Sequence, residues 1–174
     1  MVNDLKILVT YYSQTGNTEK IAKSIYDGCH GQDVDILPVK EVEPSSLDKY
    51  DLIFLGSGIY ASRVNKALSD LIAAAQQLPS KFVFFNTHAS KKAYQDGFKV
   101  VKQKISESSE IIAEFDCCGD NIGIPEAMQK SMLERLPEDK RKEAEEHQKW
   151  LKGRPNEEDL ENAKKFAQSV IEKL

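Results

Sequence analysis

The sequence reads as an α/β chain: a doubly wound, five-stranded parallel sheet with helices on both faces and a helical insertion before the last helix. Three features carry that expectation. Short apolar runs of strand length recur along the chain, separated by apolar residues at helical spacing. The runs at Ile7–Val9, Leu52–Leu55 and Phe82–Phe85 are continuous rather than alternating, as expected for strands covered on both faces. The loops after the first, third and fourth runs are rich in glycine or hydroxyl residues, and in such sheets these lie at the carboxyl edge, where ligands bind.

Taken in order, the first strand runs from Lys6 into Tyr12, and from Thr18 the spacing turns helical, with Ile21, Ala22, Ile25, Tyr26 and Cys29 on one stripe. Gly28 and Gly31 break that helix. Val34–Val39 is the second strand, placed at a sheet edge by Pro38 and its polar alternation. Asp51–Ser57 is the third. A helix over Val64–Gln77 turns Leu68, Leu71, Ile72 and Ala75 inward and ends at Pro79. Lys81–Thr87 is the fourth strand, and Tyr94–Ile105 a helix with Phe98, Val101 and Ile105 on one face. Ile111–Asp116 is the fifth strand. The last helix, Glu157–Leu174, carries Leu160, Ala163, Phe166, Ala167, Val170 and Ile171 as its stripe, with Asn156 as N-cap and acidic residues at its positive end.

The span between the fifth strand and the last helix is far longer than an ordinary connection. It holds an insertion over about 121–155: a short amphipathic set (Met128, Met132, Leu133, Leu136) closed by Pro137, then a highly charged helix, Glu138–Trp150. That helix is either a solvated element steadied by i,i+4 charge pairs or a lid or partner-docking element over the sheet edge.

The 174 residues fit a single domain, 1–174, and the net charge of −4 gives no broad basic surface for nucleic acid. No run has transmembrane length and Met1 opens no signal peptide, so a cytoplasmic chain is expected. Cys29, Cys117 and Cys118 are too few and wrongly spaced for a disulfide framework or a zinc site. The adjacent pair is expected as free thiols, because a vicinal disulfide is strained.

The chemistry is concentrated after the first strand, at Ser13, Gln14, Thr15, Gly16, Asn17 and Thr18. A helix start offers unpaired amides and partial positive charge, which a phosphate satisfies. Short hydroxyls and an amide surround it, and Gly16 permits close approach. The lysine and spacing of the nucleotide P-loop are absent.

This run resembles the phosphate loop of flavodoxins, whose pattern is hydroxyl-x-Thr-Gly-x-Thr after the first strand. The resemblance implies FMN, with its phosphate in this loop. The run Phe54–Tyr60 resembles a second flavin loop in a branch of flavodoxin-like proteins, implying that Ser57, Gly58, Ile59, Tyr60 and Ala61 approach the flavin ring. The same glycines satisfy a dinucleotide fingerprint, but the next strand ends at Asn86-Thr87 without the acid that motif needs. In flavodoxins the loop after the fourth strand wraps the other side of the ring, which brings in Thr87, His88, Ala89, Ser90 and Tyr94. His88 is either a solvent-facing loop residue or a proton donor at the flavin. Cys117 and Gly119 match a Cys-x-Gly segment of that branch, so that Gly119 and Asp120 border the ring. Gly153–Leu160 resembles its segment before the last helix.

The expected function is electron transfer between larger redox partner proteins by a non-covalently held FMN, with no catalytic acid or base and no metal. An acidic exterior steers a basic partner. The rival reading is an FMN-dependent NAD(P)H:quinone oxidoreductase or oxidase, with Arg63, Lys91, Lys92 and the insertion available to a nicotinamide or quinone. A third is a flavin-free module whose loop is merely a helix cap.

Overall fold

The computed structural model describes residues 4–92 and 94–174. Five strands form one all-parallel sheet: β1 (Lys6–Tyr12), β2 (Asp33–Pro38), β3 (Leu52–Gly58), β4 (Lys81–His88) and β5 (Glu110–Cys118). Their order is β2-β1-β3-β4-β5. The chain winds outward from β1 to β2, then returns to build the other half from β3. Strand order therefore reverses between β1 and β3, and a crevice opens beyond their carboxyl ends.

Burial follows position in the sheet. All seven residues of β3 are buried, whereas β2 at one edge has no buried residue and β5 at the other has only Cys117. Two apolar layers enclose the sheet. Ile21, Ala22, Ile25 and Cys29 of α1 (Asn17–Gly28) and its C-cap, with Ala163, Ala167 and Val170 of α6 (Glu157–Ile171), cover Ile7, Val9, Phe54, Val83 and Phe85. On the other face Leu68, Leu71 and Ile72 of α2 (Lys66–Ala74), with Val101 and Ile105 of α3 (Lys99–Ile105), cover Leu8, Ile53, Leu55, Phe82 and Phe84. The expected α/β architecture is thus the one observed.

Boundaries differ where local chemistry decides. Tyr26 stands 39 % exposed, off the buried stripe of α1. The second helix begins at Lys66 because the Asn65 side chain caps it, accepting from the Ala67 amide at 2.9 Å. The third begins only at Lys99. Its first part is a turn in which the Gly97 amide bonds Tyr94 O, and a side chain on Gly97 would meet Ile59 at 2.6 Å. β5 continues through Cys118, beyond the apolar run, because its backbone keeps pairing with β4 as far as His88. At α6, Asn156 and Asp159 form a capping box, and Asp159 also pairs with Arg154 at 2.8 Å.

The insertion is a helical hairpin, α4 (Glu126–Glu134) and α5 (Glu138–Leu151). No residue of α4 is buried, and in α5 only Leu151 is. Among the described residues no helix is long and apolar enough to cross a membrane.

One surface contact ties stability to pH. The Tyr50 hydroxyl donates to Asp35 Oδ2 at 2.8 Å, and burial, with that carboxylate behind it, pushes the phenol up from 10.0 to about 12. The native state therefore holds this proton more tightly than the unfolded chain. The associated stability is complete below pH 10 and is lost as pH rises towards 12. Urea unfolding of Tyr50→Phe should show a shallower loss of stability across that window than the parent.

Candidate functional site

The site is built where β1 hands over to α1. Gly16 stands at the N-cap with φ 94°, a left-handed turn that brings the chain sharply into the helix. No side chain caps the helix there, and the first helical bond is from the Lys20 amide to Gly16 O. The amides of Asn17, Thr18 and Glu19 precede it and form the positive end of the helix. Ser13 Oγ accepts from the Gly16 amide at 3.0 Å, holding the loop in shape, while Thr15 is exposed. The Thr18 hydroxyl is shared with that of Thr87 at 2.9 Å, tying the loop to β4.

These groups open on a cavity of about 320 Å³, walled by the loops that follow β1, β3, β4 and β5. Of the residues expected at the site, Gln14, Thr15, Asn17, Thr18, Gly58, Ile59, Tyr60, Ala61, Thr87, His88, Ala89, Gly119 and Asp120 line it. Asn121, Gly123 and Ile124 line it too, unanticipated. They follow directly on Gly119-Asp120, so the only signal for them was adjacency to that segment. The others lie elsewhere. Ser13 and Gly16 shape the loop from within. Ser57 is fully buried, donating to Gly58 O at 2.7 Å and accepting from the Asn65 amide at 3.1 Å. Ser90 lines an adjoining cavity, and Tyr94 stands behind His88.

The walls are cross-tied. The Asn17 side-chain amide donates to Asp120 O at 2.9 Å, and Asp120 Oδ2 accepts from the Gly153 amide. Its carboxylate is thereby engaged with the turn before α6. The Tyr60 hydroxyl accepts from the Gln14 amide at 3.2 Å, and its ring meets Tyr12 edge-on at 5.8 Å. Tyr60 and Arg63 exchange both backbone hydrogen bonds, at 2.7 and 3.0 Å, around Ala61 and Ser62. Those two residues have φ 47° and 64°. A two-residue turn with both centres left-handed normally takes Asn-Gly, so this loop carries backbone strain beside the cavity.

His88 is 6 % exposed at the end of β4, not a solvent-facing loop residue. Nδ1 lies 2.7 Å from Ser90 O and Nε2 2.9 Å from Asp116 Oδ2. Both ring nitrogens therefore face acceptors, a carbonyl oxygen and a carboxylate, which fix the plane of the imidazole. Tyr94 stacks on the imidazole at 3.6 Å, and the Asp116 carboxylate raises its phenol.

The adjacent cysteines point to opposite sides of β5. Cys117 is buried against the α1–α6 layer, where burial pushes its thiol far up; Cys118 turns to His88, 4.0 Å from Nδ1. Both are free, as is Cys29, whose burial raises it to about 12. With a thiol reagent at pH 8, the native protein should release one equivalent, from Cys118, the least buried of the three. Cys29 and Cys117 should react only on unfolding, and Cys118→Ser should abolish the fast phase.

The donor set suits a phosphate ester: helix-start amides and short hydroxyls, with no carboxylate side chain between Ser13 and Thr18. The sequence profile of the flavodoxin domain matches residues 8–168. The chain belongs to the flavodoxin domain family. It is 31 % identical over 170 residues to an uncharacterized protein of Methanocaldococcus jannaschii, a match covering 96 % of this chain and 99 % of that one. In fold it is similar to oxidised Flavodoxin 2 from Bacillus cereus, with a TM-score of 0.65 at 18 % identity, covering 97 % and 99 % of the two chains. A flavoprotein from Lactobacillus acidophilus NCFM, solved in complex with FMN, superposes with a TM-score of 0.51 at 15 % identity, over 64 % of this chain and 93 % of that one.

Proposed function

We propose that this flavodoxin-family chain binds FMN non-covalently at the carboxyl edge of its sheet and carries electrons between redox partner proteins. The observation that carries the reading is the uncapped start of α1, opening at the β1/β3 reversal into a cavity walled by four loops. The Asn17, Thr18 and Glu19 amides and the Thr15 hydroxyl would hold its phosphate, and Ile59, Tyr60, Ala61 and Ala89 would border its ring. FMN binding by a flavoprotein of the same fold supports this ligand.

The bound FMN supplies the electron chemistry, and the chain's own residues bind and orient it. Asn17 and Tyr60 hold the loops together, and His88, fixed by Asp116 and Ser90 O, places a rigid N–H-bearing ring in the cavity wall. None of these residues is assigned proton abstraction from a substrate.

The test is anaerobic titration of FMN-loaded protein with dithionite, then NADH and NADPH on fresh samples. One FMN per chain, reduction in two separate one-electron stages and no reaction with either nucleotide are expected of a carrier. Rapid reduction by a nucleotide with turnover would make the protein a reductase instead. Failure to bind any flavin would remove the reading altogether.

A further inference from the structure

The α4–α5 hairpin has almost no core of its own, and polar contacts fix it in place. At its turn the Arg141 guanidinium donates to Glu134 O and Leu136 O, closing one helix on the other. At its root the Arg154 guanidinium lies 3.9 Å from the centre of the Trp150 ring and pairs with Asp159 in the first turn of α6. From that frame two side chains reach the loops that wall the flavin cavity. Gln129 Nε2, on α4, donates to Asn121 O at 3.0 Å and to Ile124 O at 2.7 Å. Its side-chain oxygen accepts from Gln148 on α5, which leaves the amide nitrogen aimed at the loop. His147 Nε2, on α5, donates to Ala89 O at 2.7 Å. Ala89 follows β4, Asn121 and Ile124 follow β5, and all three line the cavity. A further link, from Lys91 to Glu143 at 3.8 Å, joins two exposed side chains and adds little.

We propose that Gln129 and His147 are positioning residues for flavin binding, through which the hairpin braces the loops after β4 and β5 and sets the shape of the cavity before the ligand enters. Neither side chain lines the cavity, so each acts through a loop carbonyl. The β5 loop has little bonding of its own. Between Asn121 and Ile124 one backbone hydrogen bond closes it, from the Ile124 amide to Asn121 O at 3.0 Å, and Gln129 donates to the carbonyls at both ends of that turn. A loop that must order itself around a ligand weakens binding, and a donor that fixes it beforehand removes part of that cost. The effect on flavin affinity rests on the FMN reading above; the bracing of the loops does not.

Gln129→Glu keeps the acceptor for Gln148 and removes the donor to both loop carbonyls. His147→Phe keeps a ring and removes the donor to Ala89 O, whereas His147→Gln restores an N–H of similar reach. FMN affinity, read by fluorescence titration, should fall by about tenfold in Gln129→Glu and in His147→Phe, and return to within about threefold of the parent in His147→Gln. Riboflavin should weaken as much as FMN in His147→Phe, because Ala89 stands on the ring side and not at the phosphate loop. The melting temperature of the apoprotein should not change, since α4 has no buried residue and Leu151 alone is buried in α5. Amide hydrogen exchange in the apoprotein should quicken locally, over residues 121–124 in Gln129→Glu and 89–91 in His147→Phe, with the strands unaffected. Unchanged FMN affinity in both donor-loss variants would overturn the proposal. So would a loss in His147→Phe that His147→Gln fails to recover. If the parent binds no flavin, the FMN reading fails by itself, and the exchange experiment still decides: unaltered exchange in both loops would remove the brace.

Discussion

Thr15→Asp should lower FMN affinity by about a hundredfold while leaving riboflavin affinity within about threefold. A factor of a hundred corresponds to about 2.7 kcal/mol. Two effects supply it. The variant removes a hydroxyl donor to a charged acceptor, worth about 1.5–3 kcal/mol, and sets a carboxylate against the phosphate. Riboflavin lacks the phosphate and feels neither. The apoprotein should respond with the opposite sign, because Thr15 is exposed and directly precedes the N-cap of α1. An acid beside a helix start stabilises by about 0.3–1 kcal/mol, so the melting temperature of the apoprotein should rise slightly. Fluorescence titration with both ligands, beside thermal unfolding of the apoprotein, checks all three expectations. Thr15→Val should fall between, at about tenfold for FMN. Thr18 is the poorer site for this experiment, since its hydroxyl bonds that of Thr87 in the interior and its loss disturbs the fold as well. Equal weakening of both flavins by Thr15→Asp would displace the phosphate from this loop.

The same contrast shows how much of the molecule could be read from its sequence. The continuous apolar runs become the central strands, and the alternating second run lies at the edge, because burial on two faces or one is written directly in residue type. The loop proposed to hold the phosphate stands out in the sequence because its candidate donors are local: hydroxyls, an amide and a glycine within six consecutive residues. Roles that depend on distant partners were not legible. Ser57 resembles a ligand donor in sequence, but Asn65 and Gly58 claim its hydroxyl. His88 reads as a loop residue until Asp116, on the neighbouring strand, and Ser90 O enclose it. Asn121, Gly123 and Ile124 enter the cavity because the chain turns back over Thr15 after β5, where Gly123 leaves room that a side chain would fill to within 2.9 Å of the threonine methyl. The short α2 and α3 follow from one cap and one turn, which outweigh helical spacing at their ends.

Gly56→Ala should be among the most destabilising single-methyl changes in the chain. Gly56 lies in the middle of the sheet, on β3, and pairs in register with Phe85 on β4. Phe85 leans its ring across the space that Gly56 leaves vacant. A Cβ at Gly56 would sit 2.1 Å from two of its ring carbons and 2.6 Å from a third. The ring is fully buried under the α1–α6 layer and has no solvent to move into. Glycine in a strand ordinarily costs about 0.5–1 kcal/mol relative to alanine, so on backbone grounds the change should stabilise. Overpacking a closed core costs about 1–3 kcal/mol and sometimes more, and here that effect wins. A net loss of about 2 kcal/mol should lower the melting temperature by roughly 4–8 °C. The cause is separable by a double-mutant cycle with Phe85→Leu, which alone destabilises but makes room for the new methyl. The pair should be more stable than the sum of the two single changes predicts, by about 1 kcal/mol or more. Additive losses would mean that the ring and the methyl do not compete. The cavity residue Gly58 lies two positions further along the same strand, so a β3 displaced by Phe85 should also weaken FMN, in the single variant and not in the pair.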